Sequence, residues 1–362
     1  MRILQILPEL NEGGVERGVV DLSKYLVNKG FESIVMSNGG ALVEILESDG
    51  SKHIKFDVCS KNVFSIPSRI KKLKKLLWQI NPDIIHVRSR VPAWLTFLAN
   101  KHLNFKVIST VHGLNSVNFY SKIMVKFDKT ICVSNAVKEY IVSHFDADEK
   151  KISVIERGID LVKFNPANLD YDWQDEFKHK FGIQRGDFVV ASIGRITQLK
   201  DYETVIQSAN FLKKDIKNLK VLIVGGARND KKDYFASLQE LVKRLNLQNH
   251  IIFTDSQSKI AEIYDLANVV VSASKKPEAF GRSVAEAIAL NTPVVATNHG
   301  GVKDVIKEHI NGCFFEVGDF KGLASKIMVA KELKFDGYNY IKGKFSLNEM
   351  CKKTVEIYKE LA

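Results

Sequence analysis

Short apolar runs of strand length alternate along this chain with longer stretches in which apolar side chains recur every three or four positions. Runs of the first kind, rich in Val and Ile, read as strands buried on both faces. The second kind reads as helices with one apolar stripe. Residues 2–7 open the series, a Gly-rich turn over 8–14 follows, and an amphipathic stretch over 15–29 is closed by Gly30. Further runs at 33–37, 54–56, 83–87, 106–111, 129–133 and 151–155 continue the alternation. At 188–193 the opening pattern starts again, ending in Gly194 and leading into a helical stretch to about residue 212. Runs at 219–224, 251–253, 269–272, 293–296 and 313–316 complete this second series, and 345–361 is helical in pattern. Such alternation predicts an α/β chain with two doubly wound parallel sheets, each covered by helices on both faces. The restart divides it. Residues 1–165 read as one Rossmann-like domain, 180–344 as a second, and the polar stretch 166–179 as their connection.

The length agrees, because 362 residues exceed what one core comfortably serves. A composition of 45% hydrophobic and 26% charged residues is that of a globular protein. No apolar run approaches the roughly 20 residues of a membrane span. The apolar run at the start stops at Pro8 without a small-residue cleavage site, and is expected to be a first strand rather than a leader. Cys59, Cys132, Cys313 and Cys351 lie far apart with no CxxC spacing, which argues against a zinc site or a disulfide framework and for a reducing, cytoplasmic setting.

The net charge of +11 calls for an anionic partner or surface. It is densest over 65–80, where Arg69, Lys71, Lys72, Lys74 and Lys75 cover one helical face and Ile70, Leu73, Leu76, Leu77 and Ile80 the other. Two readings stand side by side. The lysines are merely solvated, or they dock the protein on the inner face of an anionic membrane, with Trp78 or Trp94 helping. Nucleic acid is a poorer partner, since the basic residues concentrate in one helix and few aromatics interleave them.

Candidate chemistry gathers after the apolar runs, where α/β sheets bind ligands. His86, Arg88, Arg90, His112, Gly113, Ser134 and Asn135 fall there in the first series. The first turn, Gly13-Gly14-Val15-Glu16-Arg17-Gly18, is not GxGxxG, and no acid ends the run 33–37, so the dinucleotide fingerprint is absent. Two adjacent glycines still permit close approach of backbone to a ligand. In the second series Arg195 and Lys200 follow Gly194, where paired cations would neutralise a diphosphate. Residues 276–287 read as a loop entering a helix, with Glu278 and Glu286 eight residues apart and Gly281 near the helix N-terminus. Carboxylates beside an anion-favouring helix end are suited to accepting hydrogen bonds from sugar or ribose hydroxyls. Taken alone, the acid pair fits equally well two solvated side chains at an ordinary helix start.

Taken in order, Gly13-Gly14, His112, Glu156-Arg157-Gly158-Ile159-Asp160, the segment from Gly194 to Lys200 and the Glu278/Glu286 pair resemble the retaining glycosyltransferases of the GT4 type (glycosyl transferase group 1). The resemblance runs over nearly the whole chain. It implies the GT-B fold, two Rossmann-like domains facing a central cleft, with the first on the acceptor side and the C-terminal helix 345–362 crossing back to it. It also implies transfer of a hexosyl unit from a nucleoside diphosphate sugar, UDP ahead of GDP, to an acceptor hydroxyl, with retention at the anomeric carbon and no required metal or cofactor. Gly14, with Gly13, would lie against the diphosphate; Gly194, Arg195 and Lys200 would bind it. Glu278 would hold the donor sugar, with the amides of Ala279, Phe280 and Gly281 approaching sugar and phosphate. Glu286 would hold the ribose, and His112 would sit beside the sugar. A glycan or glycolipid acceptor in lipopolysaccharide or other envelope synthesis is expected.

Three positions depart from the usual family pattern: Asp201 where Gly often follows the lysine, Arg157 where Asn often precedes the glycine, and Arg282 where an aliphatic residue is common. Arg282 has two open roles, a contact to an acidic sugar or phosphorylated acceptor, or a pair with Glu278. The rival activities are a nucleotide-sugar 2-epimerase of the same fold and, from another class, an NAD-dependent oxidoreductase.

Overall fold

The computed structural model describes residues 1–11 and 13–362. The chain forms two compact units: Met1–Gly158 with Leu347–Ala362, and Ile159–Ser346.

The first unit holds seven parallel strands, β1 (Arg2–Ile6), β2 (Glu32–Ser37), β3 (Lys52–Lys55), β4 (Ile84–Val87), β5 (Lys106–Val111), β6 (Lys129–Cys132) and β7 (Ile152–Val154), in the order β3-β2-β1-β4-β5-β6-β7. The chain runs outward from β1 in one direction and resumes at β4 in the other, so the β1/β4 boundary is a topological switch point of the kind that binds ligands in open α/β sheets. One face of this sheet is covered by the helix Gly14–Asn28 and the C-terminal helix Leu347–Leu361. Ile3, Ile84, Ile108 and Ile131 pack there against Leu22, Leu26, Val355 and Tyr358. The last helix thus groups with the first unit although the second lies between them in sequence.

The second unit repeats the plan with six parallel strands, β8 (Phe188–Ile193), β9 (Leu219–Val224), β10 (Ile251–Phe253), β11 (Val269–Ser272), β12 (Val294–Thr297) and β13 (Gly312–Phe315), ordered β10-β9-β8-β11-β12-β13. Successive strand residues enter opposite cores. Val270, Val294 and Ala296 lie in one, and Val269, Val271 and Val295 in the other. This two-residue period, with branched residues on both faces, is why the central strands read as unbroken apolar runs. The switch point here lies between β8 and β11.

Two sequence expectations change. Within 166–179, expected as a connection, a helix begins: Tyr171–Phe181 in the second unit, started by Asp170, whose side chain accepts from Trp173 N at 3.0 Å, and ended by Gly182 in the left-handed region at φ 63°. Its apolar spacing of four (Trp173, Phe177, Phe181) gives ring centroids 5.1 and 4.7 Å apart. Gln174 donates to Glu262 O at 3.0 Å. Charged residues between the aromatics masked this period.

The second change concerns the helix Ile66–Ile80. Lys71, Lys72, Lys74 and Lys75 are exposed, but Arg69, expected among them, is buried. Its guanidinium reaches back to Asn62 O at 3.3 Å and Asp57 O at 3.5 Å, so it anchors the helix start rather than charging the outer face. Phe64 and Trp78 are exposed at 91% and 72%, on the segment that carries the lysines. Among the described residues no helix is long and apolar enough to cross a membrane.

Candidate functional site

In the second unit the chain leaves β8 through Gly194. Tyr202 Oη donates to Gly194 O at 2.6 Å, and a Cβ on Gly194 would come within 3.1 Å of Lys200 Cε. The loop needs this thinness to curl Lys200 back over its own start. A short turn, Gln198–Lys200, then passes into the helix Tyr202–Asp215 through Asp201, which is left-handed at φ 51°. That backbone explains why glycine is common at this point, and Asp is among the residues that tolerate it. Asp201 also gains partners a glycine lacks: Thr204 Oγ1 donates to it at 2.8 Å and Lys275 Nζ pairs with it at 3.2 Å.

Lys200 forms an ion pair with Glu278 Oε1, and Ser274 Oγ donates to the same oxygen at 2.6 Å. Burial alone would raise the Glu278 pKa, but the Lys200 charge and these hydrogen bonds outweigh it. The carboxyl is held below its ordinary value and is ionised at neutral pH. Arg195, on the same loop, is exposed and has no partner among the described residues. The site therefore offers one uncommitted guanidinium beside an ammonium shared with a carboxylate.

The segment carrying Glu278 is held by its neighbour across the sheet. Gly301 N donates to Glu278 O at 2.7 Å, and Glu278 bridges Gly300. A Cβ at Gly300 or Gly301 would collide with the 278–280 backbone. Phe280 is buried, its ring centroid 5.9 Å from that of Phe345, which leaves only its main chain for a ligand. Gly281 begins the helix Arg282–Ala289 at φ 87°, and a Cβ there would collide with Val302.

Glu286 lies in that helix with different partners. Tyr264 Oη donates to Oε2 at 3.1 Å and Arg282 Nη2 to Oε1 at 3.0 Å. Of the two roles open to Arg282, the structure answers one: it pairs four residues along its own helix with Glu286, not with Glu278. Burial raises the Glu286 pKa, and Arg282 and Tyr264 offset only part of that. The two acids of the original pair thus titrate in opposite directions from their ordinary values. His299, between β12 and Gly300, was not singled out in the sequence, where its one signal is its place before Gly300-Gly301 at a strand end.

In the first unit Gly13 caps the helix Gly14–Asn28, and a Cβ on it would overlap the Glu16 carboxylate. The Arg157 guanidinium hydrogen-bonds Gly14 O and reaches His112 Nδ1 at 3.2 Å. Burial, with the charges of Arg157 and Arg88, holds the His112 pKa well below its ordinary value. The ring is neutral; because Nδ1 accepts from Arg157, the proton is assigned to Nε2, which is enclosed and has no partner among the described residues. His112 is thereby set as a hydrogen-bond donor rather than a base. The pairing of Arg157 with both Gly14 and His112 was illegible in the sequence because 143 and 45 residues, respectively, separate the partners.

Other strand-end candidates serve the fold. His86 is fully buried, its Nδ1 2.6 Å from Tyr358 Oη and its Nε2 2.6 Å from Thr110 Oγ1. Ser134 accepts from Val137 N at 3.1 Å and caps the helix Asn135–Phe145. Arg88 donates to Gln5 Oε1 at 2.6 Å, and Arg90 to Ser121 Oγ at 3.1 Å.

The family described as Glycosyltransferase Family 4 matches residues 12–163, and that described as Glycosyl transferases group 1 matches residues 174–342. A glycosyltransferase of Rickettsia africae is similar in sequence and structure, 34% identical with a TM-score of 0.90, over 99% of this chain and 98% of that one. Anabaena HepE, solved in complex with UDP, shares the fold at 19% identity and a TM-score of 0.86, over 99% of this chain and all of that one. Among curated proteins, an uncharacterized glycosyltransferase of Methanocaldococcus jannaschii is 28% identical over 69% of this chain but 63% of its own length. The N-acetyl-alpha-D-glucosaminyl L-malate synthase of Bacillus anthracis is 25% identical over 70% of this chain and 67% of its own length. These matches favour neither the epimerase nor the oxidoreductase.

Proposed function

We propose, because the chain belongs to the group 1, GT4-type glycosyltransferases and its two parallel-sheet units have the GT-B fold, that it moves a hexosyl unit from a nucleoside diphosphate sugar to an acceptor hydroxyl. The observation that carries this reading is the Lys200–Glu278 ion pair beside the uncommitted Arg195, at the switch point of the second sheet. A diphosphate arriving there meets two cations, and a sugar hydroxyl meets an ionised carboxylate.

The proposed reaction breaks the bond between the anomeric carbon and the diphosphate oxygen. It forms one from the acceptor oxygen on the same face, and the departing phosphate takes the acceptor's proton, so that configuration is retained. Arg195 and Lys200 stabilise the charge that develops on the leaving group, which lets the step proceed without a metal. Glu278 orients the sugar through its hydroxyls, Glu286 takes the ribose hydroxyls, and His112 donates through Nε2–H to the sugar. Binding of Lys200 to phosphate competes with its bond to Glu278, so donor arrival leaves Oε1 with Ser274 alone and opens it to the sugar.

UDP is the proposed nucleotide; the UDP complex of a protein sharing this fold supports the choice. For the acceptor we propose a glycan or glycolipid of the cell envelope, reached at an anionic membrane surface. The support is the exposed row Lys71, Lys72, Lys74 and Lys75 with Phe64 and Trp78 beside it, cations for head groups and aromatics for the interface. Slow hydrolysis of UDP-, GDP- and ADP-sugars without acceptor tests the donor reading. Release of a sugar with retained configuration from a UDP-sugar is expected, and hydrolysis of none of them counts against it.

A further inference from the structure

His299 stands after β12 in the second unit, directly before the two glycines that pack on the Glu278 segment. Both ring nitrogens are enclosed, and neither has a hydrogen-bond partner among the described residues. A neutral imidazole carries one donor and one acceptor, so both are left unsatisfied. Folded proteins seldom keep such a group without a water or a ligand to meet it.

The surroundings indicate a ligand. His299 N donates to Thr297 O at 2.8 Å, which fixes the turn, and the contacts of Gly300 and Gly301 with residues 278–280 fix the distance between the two segments. The ring lies near the Glu278 carboxyl. Glu278 Oε1 is taken by Lys200 and Ser274, while Oε2 accepts from no described residue. One free carboxylate oxygen and two free imidazole nitrogens therefore lie together on adjoining loops of one sheet.

We propose that His299 is a further donor-sugar residue, its ring nitrogens and Glu278 Oε2 together holding hydroxyls of the transferred hexosyl group. A sugar hydroxyl both donates and accepts. One hydroxyl gives its proton to the carboxylate while accepting from the imidazole N–H, and a neighbouring hydroxyl donates to the bare ring nitrogen. This set of one ionic acceptor, one neutral donor and one neutral acceptor discriminates among hexoses by the orientation of adjacent hydroxyls. The inference rests on the donor reading above and concerns only the sugar, not the nucleotide.

Calorimetric titration of the full chain with UDP and with UDP-glucose, UDP-galactose and UDP-N-acetylglucosamine tests it. In the wild type the best UDP-sugar binds more tightly than UDP. In H299A that advantage falls about tenfold, the effect of one lost hydrogen bond of this kind, while UDP affinity stays within about twofold. H299Q, which keeps a donor and an acceptor, recovers part of the loss. The UDP titration serves as the folding control. An unchanged UDP-sugar affinity in H299A, an equal loss for UDP and UDP-sugar, or a wild type that gains nothing from the sugar overturns the inference while leaving the nucleotide site standing. A wild type that binds neither UDP nor any of the sugars overturns the donor reading and this inference with it.

Discussion

Lys200 and Glu278 are 78 residues apart and form an ion pair on loops that leave β8 and β11, adjacent strands of one sheet. The pair sits where the strand order reverses, and the lysine is committed to the carboxylate. In the proposed reaction a diphosphate draws the ammonium away, and the carboxylate is exposed to a new partner as it does so.

Changing Glu278 to Gln keeps the shape and removes the charge. Lys200 is then free, and nucleotide affinity is expected to hold or rise while transfer falls by about a hundredfold, the scale of a lost charged contact to the reacting sugar. Titration with UDP beside a turnover assay checks this; a parallel fall in both counts against the assigned division of labour.

Glu286 is expected to trade stability for binding. Its pKa is raised by burial, so the ionised form carries a cost in the folded state at neutral pH that disappears as pH falls into the acid range and the carboxyl protonates. E286Q is expected to melt at or above the wild-type temperature at pH 7 and to lose the advantage on acidification, while binding nucleotide at least tenfold more weakly. Melting curves at pH 5 and 7 with a nucleotide titration give the comparison.

Acid sensitivity traces to His86 and His112, both held well below the ordinary histidine pKa, chiefly by burial. The unfolded chain binds these protons first. Stability is thus fully present above about pH 6.5 and declines as pH falls below it, by up to ~1.4 kcal/mol per pH unit for each histidine. H86Q is expected to lower stability at pH 7 and to flatten this decline, read from denaturant unfolding at pH 5, 6 and 7. An unchanged slope contradicts the assignment. Tyr358→Phe removes the Oη bond to His86 and is expected to cost ~1–2 kcal/mol, tying the C-terminal helix to the first unit's stability.

Flotation with anionic vesicles tests the membrane reading. The wild type is expected to float with them and the variant with Lys71, Lys72, Lys74 and Lys75 changed to Ser to stay below. Equal flotation of the two removes the lysine row as the docking surface. Arg69 is left unchanged in that variant because it holds the helix start.

Much of this was legible because the determining signals are local. Two-residue and four-residue apolar periods mark the elements, and Gly194, Lys200, Glu278 and Gly281 lie in short segments whose spacing the backbone needs. What was not legible depends on contacts across the fold. Arg69 and Lys71 share a helix of like composition, and only the turn at Asp57–Asn62 decides that one is buried and the other exposed. His86 looked like a ligand residue at a strand end until Tyr358, 272 residues away, took its ring nitrogen. Arg282 lies four residues from both Glu278 and Glu286, and only the start of the helix at Arg282 makes Glu286 its i,i+4 partner.

The most direct test of the donor site is calorimetric titration of wild type, K200A and E286A with the UDP-sugar that the wild type hydrolyses. The account predicts a loss of at least tenfold in affinity for each variant, with melting temperatures showing both to be folded. Affinity unchanged in the two variants would contradict it.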